Sequence, residues 1–279
     1  MRSAIVTGSE GFIGSHLAER LGDNCWLVDR NLGEQYDVSR WLGSFKPNAE
    51  KIIYHLAADS SDEKPTREVL ENNINSTIAV LETARVWGMG VVFASSSSVY
   101  ADKPWPLRED REDLAQPVSP YATSKLVCER LCELYWRRHK VSSVAFRLFN
   151  VYGPRGNGVV NVFYDGFVGK GPPPQIHGNG RQRRDFIHVD DVVDAFVLAG
   201  EWLKSHEGFL ILNVGTGKST SVNQLYGMMT EIYGKPKVEV RCPDADAGVK
   251  WSCANTKKAK KEIGFVAKIG LEEGLKRLE

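Results

Sequence analysis

A glycine-rich turn near the amino terminus limits what this chain can fold into more than any other feature. An apolar, largely β-branched run over residues 4–7 ends at Gly8, and an amphipathic helical pattern begins near Phe12. Glycine at positions 8, 11 and 14 permits a tight turn and lets the backbone approach a pyrophosphate, while a helix N-terminus supplies N–H donors and a positive dipole end. A strand, a glycine turn and a helix in this order predict a dinucleotide-binding unit.

Short apolar runs alternate with helical patterns through the first two-thirds of the 279 residues. This alternation is typical of βαβ units that form a parallel sheet buried on both faces. The predicted strands are 3–7, 25–29, 51–56, 90–94, 143–148 and 209–214. The clearest predicted helices are 13–21, 73–87, 120–139, 189–203 and 222–233. The predicted fold class is α/β, a Rossmann-type doubly wound parallel sheet with a smaller, mainly C-terminal α/β substrate domain.

The chain changes character after residue 150, where turn-forming glycine and proline residues cluster at 153–156 and 169–174. We therefore predict a dinucleotide-binding domain over residues 1–150 and a substrate-binding region over residues 151–279. The patterns near 186–214 are typical of sheet elements, so we expect them to return to the first domain. The interval between the second and third strands is short, which indicates that one crossover element is trimmed.

The charge balance argues against recruitment by a global electrostatic field. The chain carries 36 basic and 35 acidic residues, a net charge of +1, so we expect neither nucleic acid nor a membrane as a partner. The sequence has no basic leader before an apolar run and no uncharged apolar stretch of roughly 18 residues, the length that spans a bilayer. We therefore expect a cytoplasmic protein.

The five cysteines are odd in number and form no Cys-x-x-Cys pair, so we expect reduced thiols and no metal site. Cys128 and Cys132 stand one helical turn apart. Two thiols alone are a poor metal site, and we predict that both are packing residues.

Asp29 ends the second predicted strand, where a carboxylate can accept hydrogen bonds from the adenosine ribose hydroxyls and repel a 2′-phosphate. This position favours NAD over NADP as the cofactor. A solvated strand-end acid is the alternative interpretation. Arg30 keeps NADP open, because its guanidinium could stack on adenine or pair with a 2′-phosphate.

Tyr121 and Lys125 stand four residues apart at the start of a predicted helix, so their side chains lie on one face. A phenol has a pKa of about 10 and is a poor base at neutral pH, but a neighbouring ammonium and a cationic nicotinamide ring lower that value. The pair follows the serine run 95–98, which leaves the C-terminal end of a strand, where ligands bind in such sheets. The pattern predicts a tyrosine base assisted by a lysine.

With these motifs the chain resembles the extended short-chain dehydrogenase/reductases, and within them the NAD-dependent nucleotide-sugar epimerase/dehydratase family, over nearly its whole length. It is most similar to the UDP-hexose 4-epimerases. The further segments that carry the resemblance are 54–58, 73–77, 147–155, 178–180, 184–191 and 213–217.

The resemblance implies a role for each matching residue. Ser96 hydrogen-bonds the reacting hydroxyl, Tyr121 removes its proton, and Lys125 holds the nicotinamide ribose and lowers the tyrosine pKa. The implied cofactor-binding residues are Gly8, Gly11, Phe12, Ile13, Asp29, Arg30, Asp37, Val38, Leu56, Ala57, Ala58, Asn73, Tyr121 and Lys125. The implied substrate-binding residues are Ser96, Ser97, Asn150, Val160, Arg184, Lys250 and Ser252.

Arg184 is also supported by its chemistry, because a nucleotide diphosphate needs fixed cationic donors. The alternative for Arg184 is a surface ion pair with Asp185 or Asp191.

The residues after Ser96 bear on the reaction. Relatives that eliminate water from the sugar resemble one another in having an Asp-Glu pair there, whereas this chain has Ser97 and Ser98. Hydroxyls cannot replace a carboxylate pair as acid and base, so dehydration is disfavoured. The resemblance then implies an isomerase, a 4-epimerase that oxidises C4 of a UDP-hexose transiently and retains its NAD.

The segment 248–255 resembles the part of the UDP-hexose 4-epimerases that carries an arginine to the phosphates. Lys250 stands at the arginine position, and the small Ser252 leaves room for a 2-acetamido group. We therefore expect a UDP-sugar substrate, UDP-galactose or UDP-glucose, and hypothesise that the N-acetylated pair is accepted too.

Two other functions stay open at this stage. One is an NAD(P)-dependent nucleotide-sugar reductase, decarboxylase or other extended short-chain dehydrogenase, and the other is a non-catalytic dinucleotide-sensing protein. We also expect a homodimer through a four-helix bundle made by the helices 73–87 and 120–139, with core packing as the alternative. The apolar residues behind that expectation are Leu126, Leu131, Leu134, Tyr135 and Trp136.

Overall fold

A six-stranded parallel sheet is the frame of the described part of the chain. The computed structural model describes residues 3–33, 38, 52–60, 64–100, 102, 106–111, 115–234, 240–242 and 249–278. The strands are β1 (Ala4–Thr7), β2 (Cys25–Val28), β3 (Ile52–His55), β4 (Gly90–Ser96), β5 (Ser143–Leu148), β6 (Asn150–Tyr152), β7 (Gln175–His177), β8 (Arg183–Arg184), β9 (Phe186–His188), β10 (Phe209–Val214), β11 (Thr220–Ser221) and β12 (Val240–Cys242). The helices are α1 (Phe12–Leu21), α2 (Thr66–Trp87), α3 (Pro120–His139), α4 (Val159–Val168), α5 (Val189–Ser205), α6 (Val222–Tyr233), α7 (Lys257–Ile263) and α8 (Leu271–Leu275).

The main sheet has the strand order β10-β5-β4-β3-β1-β2. Each neighbouring pair is parallel, and β1 aligns Thr7 with Val28 of β2 on one side and with His55 of β3 on the other. The chain therefore runs outward in opposite directions from β1, which creates a switch point between β1 and β3 at the C-terminal edge of the sheet. Ligands bind in the crevice at such a point. The predicted fold class, a doubly wound Rossmann-type sheet, is confirmed.

Helices cover both faces of the main sheet. On one face Val6 and Phe146 pack with Phe196 of α5, and on the other face Ile5 and Phe93 pack with residues of α2 and α3. Neighbouring residues of a strand point to opposite faces. Because both faces are buried, the strands read as continuous apolar runs rather than alternating ones.

Several elements that follow β5 in the chain build a second core. Phe163 of α4, Leu225 and Met229 of α6, and Leu275 of α8 meet around the buried Tyr152. Three two-stranded pairings accompany this core, namely β6 with β9, β7 with β12, and β8 with β11. Strand β10 lies in the main sheet beside β5, whereas the domain division at residue 150 stays a prediction.

Some element boundaries differ from the sequence predictions. Helix α2 begins at Thr66, directly after Pro65 and seven residues before the predicted start at residue 73. Its first two turns contain only two apolar residues, Val69 and Leu70, which is why the sequence pattern missed them. Strand β4 extends past residue 94 to Ser96, since Ser95 and Ser96 pair with Arg147 and Leu148 of β5. The short connection predicted between the second and third strands lies mostly outside the described residues.

The cysteines and the helices also bear on earlier expectations. Cys128 and Cys132 are buried core residues between α3 and the sheet, as predicted.

Of the apolar residues behind the expected dimer, Leu126, Leu131 and Tyr135 pack against core clusters and Leu134 is exposed, so the homodimer stays a prediction. In the described part of the chain, no helix combines the length and apolar composition needed to cross a bilayer.

A buried histidine joins β1, β3 and α2. His55 Nδ1 lies 2.8 Å from Thr7 Oγ1, and His55 Nε2 lies 3.1 Å from Thr77 Oγ1. The Thr77 hydroxyl gives its one proton to Asn73 O at 2.8 Å, so it must accept the Nε2–H of His55, and Nδ1 accepts from Thr7. Burial lowers the pKa of His55 to about 3, and the Lys125 charge adds to this effect. His55 is therefore neutral in the folded chain.

We expect the neutral state of His55 to make folding weaken in mild acid. The ordinary histidine pKa is 6.5 and the folded value is about 3, so between them only the unfolded chain takes up this proton. At pH 5 this difference should lower the free energy of unfolding of the wild type by about 2 kcal/mol. His55→Asn should not show this decrease. Urea unfolding at pH 7.5 and pH 5 measures the free energy of unfolding of both proteins. An equal pH dependence in the two would contradict a neutral, buried His55.

Candidate active site

The glycine turn brings three backbone segments together at the switch point. Gly8 has φ +72°, and a Cβ on it would lie 2.6 Å from Ala57 N in the loop after β3. A Cβ on Gly14 would lie 1.9 Å from Gly8 O. The first turn of α1 can therefore approach the glycine turn this closely only if residue 14 has no side chain. Gly11 caps α1 without a side chain, which leaves the N-terminus of this helix open to an anion.

A cavity of about 430 Å³ lies beside this turn. The predicted cofactor residues in its wall are Gly8, Gly11, Asp29, Arg30, Val38, Leu56, Ala57, Ala58 and Asn73. Phe12 and Ile13 form the first turn of α1 next to the wall. Asp37 lies outside the described residues. The structure thus brings most of the predicted cofactor residues to one place.

Asp29 is held in a fixed orientation by backbone donors. Its Oδ2 accepts from Glu10 N in the glycine turn at 3.1 Å, and its Oδ1 accepts from Asn31 N at 2.9 Å. Arg30 is exposed and lines the same cavity. A carboxylate fixed at the end of β2, beside a helix N-terminus open to a pyrophosphate, fits a dinucleotide with free ribose hydroxyls.

Asn73 was predicted to contact the cofactor, and its side chain is largely engaged by the protein. Its Nδ2 donates to Asp59 O at 2.9 Å and to Ser124 Oγ at 2.8 Å, so both of its N–H groups are used. Its Oδ1 accepts from Asp59 N at 2.7 Å. Asn73 therefore ties the loop after β3 to helix α3. A direct contact with the cofactor is left to the second lone pair of Oδ1.

Ser96, Tyr121 and Lys125 meet where β4 ends and α3 begins. Ser119 Oγ caps α3 by accepting from Ala122 N at 3.1 Å. This cap fixes the first turn, in which Tyr121 lies. Lys125 is buried, and its Nζ donates to Ala94 O of β4 at 2.7 Å and lies 5.5 Å from the centroid of the Tyr121 ring.

The proton of Ser96 is directed by a neighbour. Ser96 Oγ accepts from Ser98 N at 3.1 Å and from Ser98 Oγ at 2.9 Å. With both acceptor sites of Ser96 occupied, its own O–H is left to donate outward. The interaction of Ser96 with the Tyr121 phenol lowers the pKa of that phenol, as such a donor should.

The pKa values of the tyrosine and the lysine shift in opposite directions. Burial raises the pKa of Tyr121 above its ordinary value, and Ser96 only opposes this rise. Burial lowers the pKa of Lys125 to about 8. The expectation that Lys125 lowers the tyrosine pKa stays a prediction, because it was made for a site that also holds the cationic nicotinamide ring.

A second cavity, of about 230 Å³, opens at the ends of β4 and β5. Its wall contains five of the predicted substrate residues, Ser96, Ser97, Asn150, Arg184 and Ser252. Val160 is not among them, because its side chain is 1% exposed in the core of the second region. Lys250 is exposed and is tied to the site through its backbone, since its N–H donates to Asp102 Oδ2 at 2.9 Å.

Arg184 projects from β8 into the second cavity. Its Nη1 donates to Arg183 O at 3.0 Å and to Val249 O, and burial lowers the pKa of its guanidinium. The carboxylates of Asp185 and Asp191 are buried and accept from backbone N–H groups. Neither offers the exposed carboxylate that the alternative, a surface ion pair, requires.

A comparison with known protein families identifies the family of this chain. Residues 4–215 match the NAD dependent epimerase/dehydratase family. The chain belongs to this family. NAD is its cofactor, and the glycine turn, the cavity and Asp29 fit that molecule.

Two curated relatives align over nearly their whole length. The chain is 31% identical to a putative UDP-glucose 4-epimerase of Methanocaldococcus jannaschii, with 98% of this chain and 96% of the relative covered. It is 33% identical to a UDP-glucuronate 4-epimerase of Thermodesulfobacterium geofontis, with 98% and 94% covered.

Solved structures agree with this membership. The UDP-N-acetylglucosamine 4-epimerase of Methanobrevibacter ruminantium, in complex with UDP-N-acetylmuramic acid, superimposes with a TM-score of 0.86 at 27% identity, covering 99% of this chain and 96% of that one. The UDP-glucuronic acid 4-epimerase of Bacillus cereus, in complex with UDP-glucuronic acid and NAD, gives 0.83 at 27% identity, covering 99% and 97%.

Two carboxylates that organise this family member's site were missed as functional residues. Asp185 is fully buried and accepts from Thr216 N at 2.8 Å, Gly217 N at 2.9 Å and Ala254 N at 3.0 Å. Asp102 accepts from the backbone of residues 250 and 251 beside the second cavity. Asp185 lies in the matched segment 184–191, which was a usable signal, whereas nothing local to Asp102 indicated its partners.

We expect Asp29→Asn to weaken NAD binding about tenfold or more, because a hydrogen bond to a charged acceptor contributes about 1.5–3 kcal/mol. The same change should weaken NADP less, since the repulsion of a 2′-phosphate is removed. Titration calorimetry on cofactor-free protein measures both affinities. Glu10→Gln is the matched control, because its side chain is exposed and only its backbone N–H binds Asp29. Equal NAD affinity in wild type and Asp29→Asn would contradict the assignment.

Proposed function

We propose that this chain is an NAD-dependent 4-epimerase of a UDP-hexose, with UDP-galactose and UDP-glucose as the main pair. The observation that carries the proposal is the meeting of Ser96, Tyr121 and Lys125 at the end of β4, with Ser96 in the wall of the second cavity. The relatives named as UDP-sugar 4-epimerases along almost the full chain support it.

The residues of the chain divide the chemistry among themselves. When bound, NAD would supply an acceptor for the hydride on C4 of the sugar and a donor of that hydride to the opposite face, and the glycine turn and Asp29 would hold it. The single O–H of Ser96, which interacts with the Tyr121 phenol in the structure, would turn to the reacting hydroxyl oxygen and so fix its position. Tyr121 accepts the proton of the C4 hydroxyl while the C4–H bond of the sugar is broken. It gives the proton back when the new C4–H bond forms. Lys125 places a positive charge behind the tyrosine.

Arg184 and the second cavity provide the sugar-nucleotide end of the site. A diphosphate is bound best by fixed cationic donors, and Arg184 is held by two backbone carbonyls at the cavity wall. Lys250 adds a charge at the exposed rim. Asn150 joins these residues from the strand that follows β5.

Dehydration fits the second cavity poorly. Elimination of water needs an acid and a base placed on the sugar, and the described residues that line this cavity include no carboxylate. Ser97 and Ser98 stand where a carboxylate pair is required, and the Ser98 hydroxyl already donates to Ser96. Epimerisation needs only the base already present.

We expect the purified protein to convert UDP-galactose to UDP-glucose without added cofactor and without a net rise in absorbance at about 340 nm, because NAD is regenerated in each turnover. Tyr121→Phe should lose at least about 100-fold in kcat, since a general base contributes about 10²–10⁴-fold. Tyr135→Phe is the matched control on the same helix, where the phenol binds Glu82 of α2 instead.

Other outcomes of this assay favour other functions. Stoichiometric NADH would favour a reductase, decarboxylase or dehydrogenase, and retained NAD with no turnover of any UDP-sugar would favour a dinucleotide-sensing protein. Full activity in Tyr121→Phe would contradict the proposed base.

Ser252 supports acceptance of a 2-acetamido group. It lies in the wall of the second cavity and is 7% exposed, and its N–H donates to Arg183 O at 3.1 Å, so its position is fixed by backbone. A small side chain at a fixed point leaves space that a large one fills. A structural neighbour that is a UDP-N-acetylglucosamine 4-epimerase adds support.

We expect wild type to interconvert UDP-N-acetylglucosamine and UDP-N-acetylgalactosamine. Ser252→Phe should lose this activity at least about tenfold relative to UDP-galactose, because one bulky group in a pocket discriminates by about 1–3 kcal/mol. Ser252→Ala should keep both activities. A panel that includes UDP-glucuronic acid measures the ratios of kcat/KM. Turnover of UDP-galactose by wild type with none of the N-acetylated sugars would refute the role given to Ser252.

A further inference from the structure

A buried ion pair lies directly behind the catalytic residues. The side chains of Glu129 and Arg147 are 0% and 3% exposed. Arg147 Nη2 donates to Glu129 Oε2 at 2.7 Å, and its Nε donates to Glu129 Oε1 at 3.0 Å. Glu129 stands one helical turn beyond Lys125 on α3, and Arg147 lies on β5. The pair thus joins the helix that carries the proposed base to the sheet.

Strand β4 is attached to the same helix at two successive residues. Lys125 Nζ donates to Ala94 O at 2.7 Å, and Ser95 Oγ donates to Glu129 Oε1 at 2.5 Å. Ser95 is also the register partner of Arg147 across β4 and β5. Ser96 is the next residue, so its position relative to α3 is fixed by these two attachments.

The other side of the ion pair reaches the wall of the second cavity. The guanidinium carbon of Arg147 lies 4.6 Å from the centroid of the Tyr100 ring, and Tyr100 lines the cavity. Tyr100 OH donates to Asn213 Oδ1 of β10 at 2.8 Å. A continuous polar chain therefore runs from α3 through β5 to β10 and passes behind the cavity.

A buried ion pair is an expensive way to stabilise a core. Its desolvation often cancels its attraction, and apolar side chains of the same volume frequently give equal or greater stability. The bidentate hydrogen bonds of the pair instead hold two elements at a fixed distance and angle. Here they hold α3, which carries Lys125, against β5, which pairs with the strand that carries Ser96.

We propose that Glu129 and Arg147 are positioning residues for Ser96, Tyr121 and Lys125, which hold the end of β4 against α3 and place a balanced pair of charges beside the Lys125 ammonium. The catalytic part of this proposal rests on the proposed function. The charge-balancing part does not, because it concerns Lys125 and the retention of NAD.

The surroundings of Lys125 give Glu129 its electrostatic weight. The titratable groups that face Lys125 are His55 on β3 and Tyr121, Cys128, Glu129 and Cys132 on its own helix, with Arg147 of β5 behind Glu129. Burial keeps His55 neutral and raises the pKa of both thiols. Glu129 is therefore an anion that opposes, without cancelling, the effect of burial on the Lys125 pKa, and Arg147 is the cation that balances Glu129.

The test compares Glu129→Gln, Arg147→Met and the double variant. Two properties are measured for each protein, namely kcat and KM for epimerisation and the pH midpoint of NAD release. Lys125→Met, which should lack this midpoint, assigns it to the Lys125 ammonium. Glu129→Gln should move this midpoint down by about one pH unit and Arg147→Met should move it up, since a single nearby charge shifts a pKa by about that much. The double variant should return toward the wild-type midpoint.

Catalysis should respond to position. Each single variant should lose about tenfold to 100-fold in kcat with little change in KM, because small misplacement of reacting groups costs rate rather than affinity. Ser95→Ala removes one attachment and no charge, so it should lower kcat without moving the NAD midpoint. If Glu129→Gln does not fold, the kcat of Ser95→Ala still tests the positioning role.

Glu133→Gln is the matched control, because Glu133 is one turn further along α3 and pairs with Arg130 and Arg137 at the surface. It should change neither kcat nor the midpoint. Equal midpoints in wild type and all variants would overturn the charge-balancing role, and unchanged kcat in Ser95→Ala and the single variants would overturn the positioning role. If no UDP-sugar is turned over by wild type, the proposed function fails, and the NAD midpoints still decide the electrostatic part.

Discussion

The approach of Gly14 to Gly8 is the contact on which the rest of the site depends. One Cβ on Gly14 would stand 1.9 Å from Gly8 O, and one on Gly8 would stand 2.6 Å from Ala57 N. Bare backbone at both positions lets β1, the start of α1 and the loop after β3 meet at one edge of the sheet. The same turn supplies the Glu10 N–H that orients Asp29. Main-chain geometry therefore forms most of the candidate NAD site, and few side chains are needed to complete it.

The parts of the fold that could be predicted from the sequence are those that local patterns determine. Helix α3 has its predicted bounds because Ser119 and Pro120 form a strong start, and α6 because Ser221 and Gln224 form a capping box. Strands buried on both faces are continuous apolar runs, which made most of the main sheet visible. The meeting of Ser96 with Tyr121 then followed from a rule of parallel sheets, since strand ends and the loops after them share one edge.

The parts that could not be predicted depend on contacts between distant residues. Asp102 binds the backbone of Lys250, 148 residues further along the chain, and Glu129 binds Arg147, 18 residues away and on another element. No periodicity or turn signal specifies such partners. The start of α2 was missed for a different reason, because its first two turns contain only two apolar residues, Val69 and Leu70, and so carry little apolar pattern. Val160 was assigned to the substrate by resemblance, yet its side chain packs in the second core.

The opposite pKa shifts of Tyr121 and Lys125 have a single physical cause. Burial disfavours a lone charge of either sign, so it raises the pKa of the phenol and lowers that of the ammonium. The polar groups around them therefore decide when the phenolate forms. Ser96 opposes the rise in the phenol pKa and Glu129 opposes the fall in the Lys125 pKa. Ser96 directly follows Ala94 and Ser95, the two residues that attach β4 to α3. The proposed role of Tyr121 as a base therefore calls for a further positive charge beside the phenol, and the oxidised form of NAD carries one.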